Sequence, residues 1–146
     1  MVTKDDVLRM IREPESFRLE KTISTKDNEK FYQAICAFSN DMPDSRKCGY
    51  LLIGVNDDGS LSGLRVTDSL LKNITGLRID GNILPQPNMS VQSFSFEDGD
   101  VIVVEVTPSY EPSAQEIGAS PWLRKLRHRL GCLSGKAAKR IVHKDM

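Results

Sequence analysis

The sequence lacks the residue patterns that build disulfide frameworks, zinc sites and membrane spans. Three cysteines and two histidines occur in 146 residues, with no Cys-x-x-Cys pair, and both histidines lie near the C-terminus. A zinc site therefore has no support, and free thiols in a reducing cytosol are the expectation for the cysteines. No apolar run approaches the roughly 20 residues of a membrane span, and no secretory signal opens the chain. We expect a cytoplasmic protein without a membrane partner.

Glycine-rich phosphate loops are absent too, because neither GxxxxGK[ST] nor GxGxxG occurs. Nucleotide binding therefore has no support from a motif, and we predict no cofactor. Aromatic residues are scarce, at 6%, while 39% hydrophobic and 27% charged residues are ordinary for a globular protein. A chain of this length suits one domain with a substantial core.

Charge divides the chain unequally. Residues 1–120 contain 12 Lys and Arg against 19 Asp and Glu, a net charge of −7, whereas residues 121–146 contain eight basic residues and one acid, a net charge of +7. Such a basic segment can bind phosphates, or it can be solvated and fold back on the acidic body. With Pro108 and Pro112 at the edge, we predict a domain over 1–112 and a basic tail over 113–146.

Hydrophobic periodicity predicts an α+β domain whose sheet is mostly antiparallel, with helices packed on it. The central helix shows the clearest pattern, with Phe31, Ile35 and Phe38 in one stripe and Thr25 or Asp27 as its N-cap. The predicted helices cover 2–13, 25–41 and 67–80, and the predicted strands cover 16–23, 49–56, 60–64, 89–96 and 100–106.

The stretch GYLLIGVNDDGSLSGL, residues 49–64, reads as a hairpin. Its first strand is apolar on both faces, which is typical of a central strand covered from both sides. Asp58-Gly59 favours a tight turn. Gly54 indicates either a bulge or the close approach of another backbone or a ligand. A second bulge is predicted within 89–96, because the apolar phase slips there.

Five stretches carry a resemblance: ESFRLEKTIS, AICAFSND, GYLLIGVNDDGSLSGL, NILPQPNMSV and GDVIVVEVTPS. Together they resemble the Schlafen/AlbA-like domain family over residues 13–112, and the hairpin is the most specific part. The resemblance implies the fold of that family. It also implies nucleic-acid binding, since many bacterial members are described as DNA-binding domains or transcriptional regulators, while animal relatives include endoribonucleases that act on structured RNA.

The sequence departs from the family pattern at three places. Glu20 is followed directly by Lys21 where relatives have Glu-Phe-Lys, and only Gly49 remains of a glycine pair. After 112 the chain lacks the Pro-Pro-Val-Arg-Tyr segment of the family. An altered reading frame is one interpretation of this C-terminus, and in that case the charge of the tail is accidental.

The nuclease relatives imply a candidate catalytic and metal-binding trio at Glu15, Glu20 and Asp57, which would hold Mg²⁺ or Mn²⁺ with carboxylate oxygens. Five residues on one strand place two side chains on opposite faces, which weakens this interpretation. Asn56 also stands where many relatives carry a further acid. The alternative is that Glu15 precedes the strand, Glu20 lies on the surface and Asp57 fixes the turn.

Basic residues supply candidate contacts to phosphates, which position a nucleic acid without reading its sequence. Tyr50 could stack on a base, although core packing is the simpler expectation. The candidate nucleic-acid-binding residues are Lys21, Arg46, Lys47, Arg124, Lys125, Arg127, Arg129, Lys139 and Arg140.

Three functions follow from these observations. We favour a non-catalytic, nucleic-acid-binding module of the transcriptional-regulator type, with DNA or RNA as the partner. The first alternative is a metal-dependent endoribonuclease acting on structured RNA, which alone would require Mg²⁺ or Mn²⁺. The second is a protein-interaction domain, and a homo-oligomer is compatible with each of the three.

Overall fold

The computed structural model describes residues 2–41, 45–79, 81–84, 86–108 and 133–134. Within them the elements follow the order α1 (Lys4–Arg12), β1 (Leu19–Thr22), α2 (Asn28–Asn40), β2 (Gly49–Ile53), α3 (Asp68–Gly76), β3 (Ile83–Leu84), β4 (Asn88–Phe96), β5 (Gly99–Thr107) and β6 (Leu133–Ser134). One sheet has the strand order β1-β2-β5-β4, and β3 pairs with β6 separately.

The larger sheet is mixed. β1 runs parallel to β2, whereas β2 with β5 and β5 with β4 are antiparallel. The predicted α+β class with a mostly antiparallel sheet is therefore confirmed. The parallel pairing has a consequence for function, because it brings the beginnings of β1 and β2 to the same end of the sheet.

β2 is the centre of the core, as its continuous apolar run predicts. Leu51, Leu52 and Ile53 are fully buried. Leu51 and Ile53 pack against α2 and α3 on one face of the sheet, and Leu52 packs against α1 on the other. A strand covered on both faces needs apolar side chains in both phases of its pleat, which accounts for the sequence.

Side-chain caps start the helices where the sequence places polar residues. Thr3 forms a capping box at α1, Asp27 accepts a backbone hydrogen bond at the start of α2, and Thr67 does so at α3. Such caps satisfy backbone N–H groups that have no partner within the helix. Of the two predicted caps for α2, the structure selects Asp27.

Three local predictions are wrong. Residues 60–64 form no strand, and a single bridge between Val55 and Leu61 replaces the predicted ladder. β4 pairs with β5 without interruption, so the predicted bulge is absent from it. Residues 81–88, which the sequence pattern leaves as a loop between the predicted helix 67–80 and strand 89–96, contain β3.

The sequence predicts either a bulge or the close approach of another group at Gly54, and the structure shows a close approach. The φ of Gly54 is +103°, and a Cβ added there would lie 2.7 Å from the carbonyl oxygen of Asp100. The glycine therefore permits close approach of the neighbouring backbone.

The expectation of free thiols is wrong for Cys36, which is disulfide-bonded, and holds for Cys48, which is free and half-buried. Among the described helices, none combines the length and the apolar character required to cross a bilayer.

Candidate nucleic-acid interface

A tight turn precedes β1 at the end of the sheet where β1 and β2 begin. Ser16 and Leu19 exchange backbone hydrogen bonds of 2.9 and 3.3 Å, and the Arg18 N–H donates to Ser16 Oγ at 3.2 Å. Phe17 and Arg18 therefore occupy the tip of a turn that its own backbone holds in place. The Phe17 side chain is largely in solvent.

Arg18 connects this turn to the neighbouring strand. Its Nε donates to the carbonyl oxygen of Cys48 at 3.1 Å, and its own carbonyl accepts a hydrogen bond from the Tyr50 N–H at 2.7 Å. One nitrogen of the guanidinium is thus fixed to the backbone just before β2. Arginine has four further N–H groups on its terminal nitrogens, which can bind phosphate oxygens.

The loop before β2 is organised by Asp41, the C-cap of α2. Its carboxylate accepts hydrogen bonds from the N–H and the hydroxyl of Ser45 at 3.0 and 2.8 Å, and from the Arg46 N–H at 2.7 Å. Burial raises the pKa of Asp41, but the hydrogen bonds from Arg46 and Ser45 outweigh it and lower the pKa. Arg46 and Lys47 are exposed on this loop. We call Phe17, Arg18, Arg46 and Lys47 the strand-start surface.

Lys21 lies elsewhere, inside the molecule. Its side chain is 2% exposed, in the phase of β1 that also buries Leu19. Nζ donates to the carbonyl oxygens of Ile11 and Glu13, at 2.8 and 2.5 Å. The ammonium therefore satisfies carbonyls at the C-terminal end of α1, where a cation is also favoured by the helix dipole.

Of the three candidate acids, Glu15 precedes β1 and Glu20 lies within it. Glu15 is exposed, and its Oε1 accepts the Lys21 N–H at 3.2 Å, which satisfies part of the free edge of β1. Glu20 is half-buried in a groove of about 510 Å³ between β1 and α2. Its Oε1 lies 4.0 Å from Lys30 Nζ.

The carboxyl of Glu20 is affected by both of the other acids. Burial raises its pKa, the charges of Glu15 and Asp57 raise it further, and Lys30 opposes them. Repulsion from neighbouring carboxylates thus contributes to the raised pKa of Glu20, although burial is the larger cause. Even so, no group of three metal-ligating side chains in the described part of the chain could hold an ion.

Asp57 does not hold the turn at the end of the central strand. Asn56 donates to the Ser60 hydroxyl at 3.0 Å, and Asp58 accepts the Ser60 N–H at 2.8 Å and its hydroxyl at 2.6 Å. These hydrogen bonds from Ser60 lower the pKa of Asp58. The role predicted for Asp57 as a turn residue is therefore carried out by its neighbours, and its exposed carboxylate lies beside them.

The remaining predicted residues divide into two groups. Tyr50 is half-buried on the face of the sheet that α1 covers. Burial and the nearby Glu105 carboxylate raise its pKa to about 12. The six basic residues of the tail lie outside the described residues: Arg124, Lys125, Arg127, Arg129, Lys139 and Arg140.

The comparison with protein families agrees with this architecture. The family model described as Schlafen, AlbA_2 matches residues 15–134, most of the chain. The chain belongs to this family. The match includes both β1 and β6, so the β3–β6 pair lies within the Schlafen/AlbA_2 domain. None of the curated proteins matches the chain.

A solved structure shares the fold of this Schlafen/AlbA_2 domain. It is the solution NMR structure of the N-terminal domain of an ATP-dependent DNA helicase RecG-related protein from Nitrosomonas europaea. The two are 21% identical, the similarity covers 82% of this chain and 83% of that chain, and the TM-score is 0.57. At this level of identity the likeness concerns the fold.

Sequence reasoning missed two residues of the strand-start surface. Phe17 is two residues before Leu19 in the predicted strand 16–23, so the alternation of apolar residues predicts that both side chains face the core. Arg18 belongs to no recognisable binding motif. The turn at 16–19 takes Phe17 out of the strand and reverses that expectation. The exposed aromatic ring in the structure identifies the position directly.

Proposed function

We propose that this Schlafen/AlbA_2 domain binds nucleic acid without cleaving it, as a module of the transcriptional-regulator type. The observation that carries the proposal is a group of three basic residues at one end of the sheet. Arg18 lies on the turn before β1, and Arg46 and Lys47 lie on the loop before β2. The hydrogen bond from Arg18 Nε to the Cys48 carbonyl oxygen joins the two segments. The name of the structural relative, a RecG-related DNA helicase protein, supports the same class of ligand.

The charge distribution suits modest, salt-dependent binding. The net charge of −7 over residues 1–120 opposes tight binding to a polyanion, so the basic loops and the tail must supply the attraction. Each phosphate contact releases counterions and steepens the dependence of affinity on salt. We expect weak binding at physiological salt that strengthens as the salt concentration falls.

Binding and cleavage can be measured in one panel. The full chain is titrated with duplex DNA, single-stranded DNA and tRNA, with and without Mn²⁺, and each mixture is scored by gel shift and by denaturing gel. We expect binding of at least one ligand and intact nucleic acid in every lane. Lys47→Ala should lower the salt slope by about one unit, because it removes one phosphate contact.

Lys72→Ala is the matched control, since it removes one exposed positive charge from α3, away from the proposed surface. Its salt slope should equal that of the unmodified chain. Equal reductions for Lys47→Ala and Lys72→Ala would show that overall charge, and not the strand-start surface, governs binding. Absence of a shift with every ligand would contradict the proposed function.

A second candidate is the endoribonuclease, which the raised pKa of Glu20 beside Glu15 and Asp57 favours. We place binding first because the described residues contain no group of three side chains that could hold a metal ion. Cleavage of tRNA that requires Mn²⁺ and is abolished in Glu20→Gln would reverse that order.

A further inference from the structure

Phe17 is an aromatic ring that the fold leaves in solvent. It is 56% exposed. A half-exposed phenyl ring forgoes part of the stabilisation that full burial would provide, so packing accounts for only part of this side chain. Exposed aromatic rings are useful for binding, because they offer a flat apolar surface.

The ring is also held on a rigid support. Three hydrogen bonds within 16–19 close the turn, and the Arg18 Nε bond to Cys48 joins the turn to β2. The backbone that carries Phe17 is therefore fixed before any ligand arrives. Preorganisation of this kind reduces the entropy that binding would otherwise cost.

Arg18 and Lys47 place positive charge at the same end of the sheet as the ring. The terminal nitrogens of Arg18 form no hydrogen bond or ion pair with the described residues, and the same holds for Lys47 Nζ. Since β1 and β2 are parallel, the residues preceding each strand lie at the same end of the sheet. The turn with Phe17 and the loop with Lys47 are therefore neighbours.

We propose that the strand-start surface binds a single-stranded nucleic acid, with Phe17 stacked on an unpaired base and Arg18 and Lys47 on the adjacent phosphates. This inference rests on the proposed function and specifies its ligand. Aromatic stacking combined with basic side chains is the general chemistry of single-strand binding, whereas the bases of a duplex are already stacked on one another. The basic groups beside the ring favour this ligand over an apolar protein segment.

The test compares matched strands in fluorescence anisotropy titrations of the full chain. The probes are labelled oligo(dT), labelled oligo(U) and a labelled DNA duplex. Phe17→Ala should weaken binding of the single strands by roughly 5- to 150-fold, the usual effect of removing one stacking ring. Its salt slope should be unchanged, because no charge is removed, and its duplex affinity should be unaffected.

Two further variants make the result specific. Ile23→Ala removes another exposed apolar side chain, 55% exposed just after β1, and should bind every probe like the unmodified chain. Phe17→Trp should retain single-strand affinity, and its added tryptophan fluorescence should be quenched as oligo(dT) binds. The relative affinities for oligo(dT) and oligo(U) distinguish DNA from RNA as the source of the strand.

The outcomes separate this inference from the proposed function. Weaker binding by Lys47→Ala with no change in Phe17→Ala would keep nucleic-acid binding and overturn base stacking. Equally weakened binding by Phe17→Ala and Ile23→Ala would also overturn it, since the effect would then not belong to the ring. Failure of the unmodified chain to bind any probe would overturn both.

Discussion

At the scale of single residues, Lys21 shows how a candidate ligand-binding side chain can serve the fold. A strand repeats its faces every second residue, so Lys21 shares the face of Leu19 and its stem is carried into the core. The ammonium is tolerated there because two carbonyl oxygens at the end of α1 accept hydrogen bonds from it. Contact of Lys21 with phosphate remains a prediction, and the burial of Nζ argues against it.

We predict that Lys21→Met destabilises the protein by about 1–3 kcal/mol. Methionine preserves most of the packing but leaves the carbonyls of Ile11 and Glu13 without their donor, which costs about that much for buried groups. Urea unfolding of both proteins gives the difference in free energy of unfolding. Lys26→Met, at an exposed position, should change the free energy by less than about 0.5 kcal/mol.

The same variant tests the predicted contact with nucleic acid. Folded Lys21→Met should keep the salt slope of the unmodified chain, because the buried ammonium is engaged with the backbone. A slope lowered by about one unit would assign Lys21 to the interface after all. Unchanged stability would show that the methionine packing compensates for both missing hydrogen bonds.

At the scale of elements, glycines determine how closely the segments around the central strand can pack. Gly54 follows β2 at φ +103°, with the backbone of Asp100 against its α-carbon, whereas Gly76 ends α3 with open space around it. We predict that Gly54→Ala lowers the melting temperature, because alanine meets both an unfavourable φ and a backbone oxygen. The expected cost is about 1–3 kcal/mol.

Gly76→Ala is the matched control for that substitution, since it replaces a helical glycine with the same residue. It should leave stability unchanged or raise it by up to about 1 kcal/mol, as alanine restricts the unfolded chain. A similar decrease of stability in the two variants would refute the close-approach explanation for Gly54. Thermal unfolding followed by circular dichroism measures both.

The elements that the sequence predicts correctly are those whose signals are local. Helical spacing and caps identify α1, α2 and α3, and an apolar run identifies β2 as central. The parallel partner of β1 is not predicted, because nothing within a strand specifies which strand it joins. The strand predicted over 60–64 is wrong for a similar reason. The turn signal at Asp58-Gly59 indicates that the chain reverses, but it does not specify how many residues pair after the turn.

The candidate site depends even more on the assembled structure. The trio of acids comes from a family resemblance, and its electrostatic coupling at Glu20 emerges only when β1, the turn and α2 are brought together. Arg46 and Lys47 are visible in the sequence as basic residues before a strand. Phe17 and Arg18 become neighbours of that loop only through the pairing of β1 with β2.

At the scale of the whole molecule, the negative charge of residues 1–120 opposes nucleic-acid binding, whereas the positive charge of the tail favours it. Substitution of the six candidate tail residues by glutamine tests the tail without removing β6, whose pairing with β3 a truncation after residue 120 would destroy. We predict that binding at physiological salt becomes undetectable. The salt slope should fall by about 0.7–0.9 units for each phosphate that the tail no longer neutralises.

The six substitutions also shift the net charge of the chain from 0 to −6. A control must therefore distinguish the effect of overall charge from the loss of direct contacts between the tail and phosphates. Adding Glu97→Gln and Asp98→Asn, in the exposed turn between β4 and β5, restores two units of charge without touching the tail. Salt limits the interaction between exposed charges to a range of about 8–10 Å near physiological salt. If the tail acts by direct contact with phosphates, these two substitutions should therefore not restore affinity. Recovery would indicate a field effect, and unchanged binding in the tail variant itself would leave the strand-start surface as the site.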